Sequence, residues 1–180
     1  MKASSFITIL LCTILNTTNA NSYNDKILSL KEMVNNSTNI AQSNVVEINP
    51  NCIIDGIPCT IVSLIVNNSI KGNIQPQECI KLVLLGGLLP NGNAVIATGS
   101  TSFSINEEVV VFMNKKKLPN IGDCFVMAKQ QQGKFIIKND NVFRESYSLL
   151  KQDENSAPVE ISQEHPMSLG SFIADIANFE

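Results

Sequence analysis

Asn51-Cys52-Ile53-Ile54-Asp55-Gly56-Ile57-Pro58-Cys59-Thr60-Ile61-Val62-Ser63-Leu64-Ile65-Val66 decides the fold class. Asp-Gly between apolar residues is a strong two-residue hairpin signal, because both central positions of the favoured turn need positive φ. With Asp55 and Gly56 in the turn, Ile54 faces Ile57, Ile53 faces Pro58 and Cys52 faces Cys59. Pro58 then falls at a non-hydrogen-bonded pair, where its missing N–H costs the ladder nothing. Pro58 to Val66 is apolar and β-branched, as a strand packed in a core requires.

Working outward, the same character returns. Ile40 to Ile48 alternates weakly, and Asn67-Asn68-Ser69 follows the strand that ends at Val66. Cys79–Leu85, Glu107–Asn114, Asp123–Lys129 and Lys134–Lys138 are further strand-like runs. Short apolar runs separated by turn signals imply a mainly β, antiparallel barrel or sandwich. Ahead of them, Ser29-Leu30-Lys31-Glu32 matches a capping box, with Ile27, Leu30, Met33 and Val34 on one face of a short helix. Residues 21–26 are polar and expected to be disordered, and 27–148 forms the β domain with its leading helix. Residues 149–166 read as a polar linker. In 167–180, Leu169, Phe172, Ile173 and Ile176 at helical spacing predict a closing helix that packs on the domain.

Residues 1–20 read as a secretory signal. Lys2 supplies a positive start, Phe6 to Leu15 a ten-residue apolar core, and Ala20 a small residue before the cut. A membrane-spanning helix needs about 20 apolar residues, so this core is too short for one. Bulky Leu11 and the short apolar run upstream argue against a lipidated Cys12. The expected mature chain starts at Asn21 and works in the periplasm or outside the cell. Removing Lys2 from 13 basic side chains, against 16 acidic ones, leaves a net charge of −4. That mild acidity argues against nucleic acid and anionic membrane surfaces as partners, and no stable membrane insertion is expected after cleavage. Lys115-Lys116-Lys117 is the one basic run, and a turn between strands explains it. Sequons stand at Asn35, Asn36 and Asn67 and matter only in a host that glycosylates.

Four cysteines remain beyond the signal: Cys52, Cys59, Cys79 and Cys124. An even number in an exported chain suggests two disulfides. Opposed hairpin residues lie about 4.5–5.5 Å apart at Cα, within disulfide reach, so Cys52 pairs with Cys59 and leaves Cys79 for Cys124. Four buried free thiols are the alternative. No Cys-x2-Cys pair exists and His165 is the only histidine, so neither a metal site nor a cofactor is expected. A hydrolase would have to use His165, which stands in a polar stretch, and there is no Gly-x-Ser-x-Gly elbow. Glu107 and Glu108 are adjacent in a strand and point to opposite faces, so they cannot converge on one atom. No catalytic residue is expected, and the chain reads as a non-enzyme.

Two loops are candidates for binding. Gly86 to Phe103 carries Gly86, Gly87 and Gly99 and has no phosphate-loop spacing; it is a binding loop or an ordinary crossover. Gln130-Gln131-Gln132-Gly133-Lys134 is a protruding edge that offers amides and a cation, or simply a hairpin turn with Gly133 at positive φ. The hairpin is the favoured reading. An exposed apolar patch over 86–103 points to a protein partner, and an aromatic-lined groove points to a glycan.

Several segments resemble a β-barrel module of exported bacterial proteins, found alone or beside matrixin-type metalloproteases. They are Leu28–Val34, Ile61–Val66 with Ile70-Lys71-Gly72, Asn106-Glu107-Glu108-Val109-Val110-Val111-Phe112, Phe125–Ala128 and Gln132–Phe135. More distantly, the layout is similar to netrin-like modules, including the tissue inhibitors of metalloproteinases. The resemblance implies a five- to six-stranded OB-like barrel with a short N-terminal helix and a C-terminal helix. In that barrel the third and fifth strands are parallel neighbours. It further implies a non-catalytic, protease-associated or inhibitor-like binding module, with an envelope accessory protein that binds a glycan or stabilises an assembly as the alternative. Two positions depart from the pattern. The inhibitors chelate zinc through an N-terminal cysteine where this chain has Asn21, and Asn106 replaces a glycine.

Overall fold

The computed structural model describes residues 27–97, 99–144, 148–149, 159–160 and 166–179. The signal-like stretch, residues 21–26 and His165 lie outside the described residues. In chain order the elements are α1 (Leu30–Asn35), β1 (Asn39–Ile54), β2 (Ile57–Lys71), β3 (Cys79–Leu88), β4 (Ala94–Ile96), β5 (Glu108–Leu118) and β6 (Gly122–Met127). A 3-10 turn at Gln130–Gly133 leads to β7 (Lys134–Lys138) and β8 (Asn141–Arg144). The two-residue strands β9 (Ser148–Leu149), at the start of the stretch expected as linker, and β10 (Val159–Glu160), inside it, pair with each other. Last come β11 (Met167–Ser168) and α2 (Leu169–Ala177).

The chain is mainly β, with nine strands in one sheet and two helices, more strands than the five or six expected. The Asp-Gly hairpin forms residue for residue. Asp55 and Gly56 take φ of 50° and 80°, and Cys52↔Cys59, Ile53↔Pro58 and Ile54↔Ile57 are directly opposed. β1–β2 and β2–β3 are antiparallel, β3–β6 is parallel, and β6–β5 and β5–β1 are antiparallel, so the pairings return to the strand where they began. β2 runs on through Asn67-Asn68-Ser69 to Lys71: Asn68 and Ser69 pair with Gln42 and Ala41 of β1, and register shifts leave Asn67 and Ile70 as bulges.

Three expectations are corrected. Asp123–Lys129 and Lys134–Lys138 do not form a hairpin. β6 pairs with Met113–Leu118 of β5, and β7 pairs with Val109–Val111. The turn's positive φ, 45°, is at Gln130 rather than Gly133. Gly133 packs closely instead: a Cβ there would lie 3.0 Å from the Phe112 carbonyl oxygen, a tight contact. Finally, Lys115–Lys117 lie on β5 itself, and the turn follows them.

Val109–Met113 of β5 are buried on both faces, as this unbroken apolar run requires. Val109, Val111 and Met113 pack with Val45, Leu64, Leu82 and Phe125. Val110 and Phe112 point the other way, toward Phe135, Ile137 and the helices. Each such side chain contributes about 1.5–3 kcal/mol by leaving water. α1 buries Met33 and Val34 there, and α2 buries Phe172 and Ile176. Phe172 packs against Phe135 with the rings tilted by 51° and their centroids 4.9 Å apart. The capping box forms at Ser29 and Glu32, and Lys71 Nζ donates to the Val34 carbonyl at 2.9 Å, closing the far end of α1. Among the described residues no helix is long and apolar enough to cross a membrane.

Candidate binding site

β3 outlasts its partner. Its parallel register with β6 ends at Val83↔Val126. Beyond that point Gly86, at φ 95°, lets β3 swing across to pair with β4. Gly87 passes so close to β1 and β2 that a Cβ would meet the Pro50 carbonyl oxygen at 2.5 Å and the Cys59 carbonyl oxygen at 2.7 Å. β6 meanwhile leaves into the 3-10 turn. Where the two strands part, a cavity of about 460 Å³ opens.

The hairpin supplies Ile54, Ile57 and Cys59 to its wall, β3 supplies Val83 and Leu85, and β5 and β6 supply Leu118 and Val126. Asp55, Ser100, Thr101 and Gln130 add the polar groups. An apolar hollow of this size with a few polar groups is the usual form of a binding site. Two of its apolar lining residues are bare: Ile57 is 53% and Leu85 55% exposed. No aromatic ring stands among the described lining residues. A second hollow of about 310 Å³ lies against the β3–β4 hairpin, lined in part by Thr60, Gly87 and Phe103.

The structure brings the two candidate loops together. The Gly99 carbonyl accepts from the Gln131 N–H at 3.2 Å, and a Cβ on Gly99 would run into Gln130 Oε1. Gln130 reaches the larger cavity. Gly86 and Gly87 lie in β3 rather than in a loop, because the chain pairs onward to β4. Gln132 and Lys134 are buried and so are not held out to a partner. Gln132 Oε1 accepts from the Leu28 N–H at 2.9 Å and anchors the approach to α1. Lys134 Nζ lies 2.9 Å from Glu107 Oε1, 2.6 Å from the Ser102 carbonyl oxygen and 4.6 Å from the centre of the Phe103 ring. It ties the 99–103 segment to the sheet beside both hollows. Glu108 instead accepts from Gln42 Nε2, so the adjacent carboxylates diverge.

Sequence reading missed Ile57 and Leu85. Alternation in β3 does carry a signal, since Leu85 shares its face with exposed Cys79 and Lys81.

All four described cysteines are free thiols. Cys52 and Cys59 face each other as expected but are not bonded. Cys79 and Cys124 do not meet. Leu82 opposes Phe125, which sets Cys124 beside Lys81, two residues from Cys79 along β3. Cys79 is exposed, while Cys124 is buried with Ile54, Cys59 and Val83. Burial pushes the Cys59 and Cys124 thiols up from their ordinary range, and the neighbouring Cys52 adds to the effect at Cys59. Among the described residues, no group of three or more His, Cys, Asp or Glu is placed to hold a metal.

The chain matches no protein-family profile, no curated protein and no solved structure.

Proposed function

We propose that this protein is an exported, non-catalytic binding module with an OB-like, netrin-like barrel, and that it engages a protein partner through the hollow beside the β1–β2 hairpin. The observation that carries the reading is the exposed apolar pair Ile57 and Leu85 on a concave apolar wall. Bare apolar surface contiguous with a hollow marks an interaction site, and aliphatic lining without aromatic rings suits a protein side chain better than a sugar face. The barrel reading draws on the pairing circuit β1–β2–β3–β6–β5–β1 and on its single parallel pair, β3 with β6, which are the third and fifth of those five strands in chain order. Asn106 takes φ 66°, a conformation that suits the glycine of the bacterial pattern and that asparagine tolerates. The resemblance names an exported protease as the partner class.

The test is affinity capture from exported fractions with wild-type protein, Ile57→Asp and the remote control Lys116→Glu. Stoichiometric recovery of one protein by wild type and control, lost with Ile57→Asp, supports the reading. Capture that is unchanged by Ile57→Asp refutes the site. Recovery of envelope glycan in place of protein moves the function to the envelope accessory role.

A further inference from the structure

We propose that Cys52 and Cys59 form a reversible dithiol–disulfide couple, a modification site on the β1–β2 hairpin that closes by exchange with a small disulfide. The couple rests on the hairpin alone and is independent of what the neighbouring hollow binds.

The two residues are directly opposed, two positions out from the turn-closing pair Ile54↔Ile57. That position is again a hydrogen-bonded pair, with Cα atoms about 5.5 Å apart. Disulfides favour a Cα separation of about 5.5–6 Å, so closure needs side-chain rotation and little backbone movement. Both side chains face the cluster formed by Ile54, Val83 and Cys124.

The other thiols are out of reach. Cys124 is on β6 and Cys59 on β2, with β3 between them. Two strand spacings are about 9.5 Å, beyond the roughly 7 Å limit for bridging. Cys59 pairs with Leu85, six residues along β3 from Cys79.

The pair is asymmetric, and this sets the order of events. Cys52 is half-buried, whereas Cys59 is buried with its Sγ donating to the Ile57 carbonyl at 3.4 Å. Burial and the adjacent Cys52 hold Cys59 in the protonated form. The Cys52 thiolate therefore attacks first. It breaks the S–S bond of oxidised glutathione, releases one glutathione thiolate and leaves a mixed disulfide on Cys52. Cys59 then gives its proton to water and attacks the Cys52 sulfur, expelling the second glutathione. The protein gains one S–S bond, the oxidant loses one, and the two thiol protons end on two glutathione molecules.

The experiment treats the reduced full chain with oxidised glutathione in mildly alkaline buffer, quenches by alkylation, and maps the peptides by mass spectrometry. In wild type the Cys52–Cys59 peptide is expected to lose two hydrogens and to carry no lasting adduct. Cys59→Ser is expected to accumulate glutathione on Cys52. In Cys52→Ser, labelling of Cys59 is expected to be slower than that by on the order of tenfold. A stable glutathione adduct on wild-type Cys52 without closure overturns the proposal, as does a bond from Cys52 or Cys59 to Cys79 or Cys124. Equal labelling rates for Cys52 and Cys59 in the single variants overturn the order of attack.

Discussion

Lys134→Met removes an ammonium group from the interior and keeps much of the apolar stem. The Lys134 side chain is 2% exposed and that of its partner Glu107 15%. Breaking a buried pair by deleting one charge costs about 3–5 kcal/mol, mostly because the other charge is left behind. Two features hold the loss to the low end of that range. Glu107 keeps a hydrogen bond from the Ser104 N–H at 3.1 Å, and Ser102, whose carbonyl loses its donor, is exposed and can turn to water. The expected loss is therefore about 3 kcal/mol. With an m-value of about 2 kcal/mol/M, the urea midpoint falls by about 1.5 M at unchanged slope. Lys134→Met combined with Glu107→Gln leaves no buried charge and is expected to lose only about 1 kcal/mol. Equilibrium urea unfolding of wild type, both single variants and the double variant closes the cycle. A loss below about 1 kcal/mol for Lys134→Met would refute the reasoning, as would a double variant no more stable than Lys134→Met.

Gly87→Ala drives a Cβ into the carbonyls of Pro50 and Cys59 and is expected to cost at least about 2 kcal/mol. Gly170→Ala, on α2 with open space around it, is expected to raise stability by about 0.5–1 kcal/mol; thermal melts of the two variants should move in opposite directions. Ser29→Ala opens the capping box of α1 and should lose about 1 kcal/mol in urea unfolding. Iodoacetamide should alkylate exposed Cys79 well before buried Cys59 and Cys124, as read by mass spectrometry over time. Burial lifts the folded-state pKa of those two buried thiols above the ordinary value of 9.0. Above it the unfolded chain gives up protons that the folded chain keeps, so their contribution is complete below about pH 9 and falls as pH rises further. A Cys59→Ala/Cys124→Ala variant should show a flatter decline in urea midpoint over that range.

Legibility in the sequence followed the range of the interaction. The Asp55-Gly56 hairpin was readable to the residue, because a two-residue turn at positive φ fixes its own register. The capping box at Ser29 and the α2 stripe were readable for the same local reason. β6 and β7 were misjoined because nothing between residues 127 and 134 reveals that both strands belong to β5. β4, β8 and β11 were missed as strands of three, four and two residues, whose pairing depends on neighbours already in place. Lys134 looked solvent-bound by residue type. Its burial depends on Glu107 and Phe103, which arrive from a distant segment. The hollow was half-legible: its glycines drew attention to 86–103, while Ile57 was read only as a residue beside the hairpin turn and Leu85 only as the end of a strand.

The pairing of β1 with β5, from Asn39↔Met113 to Asn44↔Glu108, has a bearing on biogenesis. The hairpin and the β2–β3 meander can form as soon as they are made, but the free edge of β1 near Asn39–Asn44 must wait until some seventy further residues have emerged. During that interval Ile40, Ala41 and their neighbours present unpaired backbone to other nascent chains, which is the usual route to intermolecular strand exchange. Synthesis stopped before Glu108 should therefore yield an aggregating fragment rather than a smaller folded one, and holdase protection over that window should decide the yield of soluble protein.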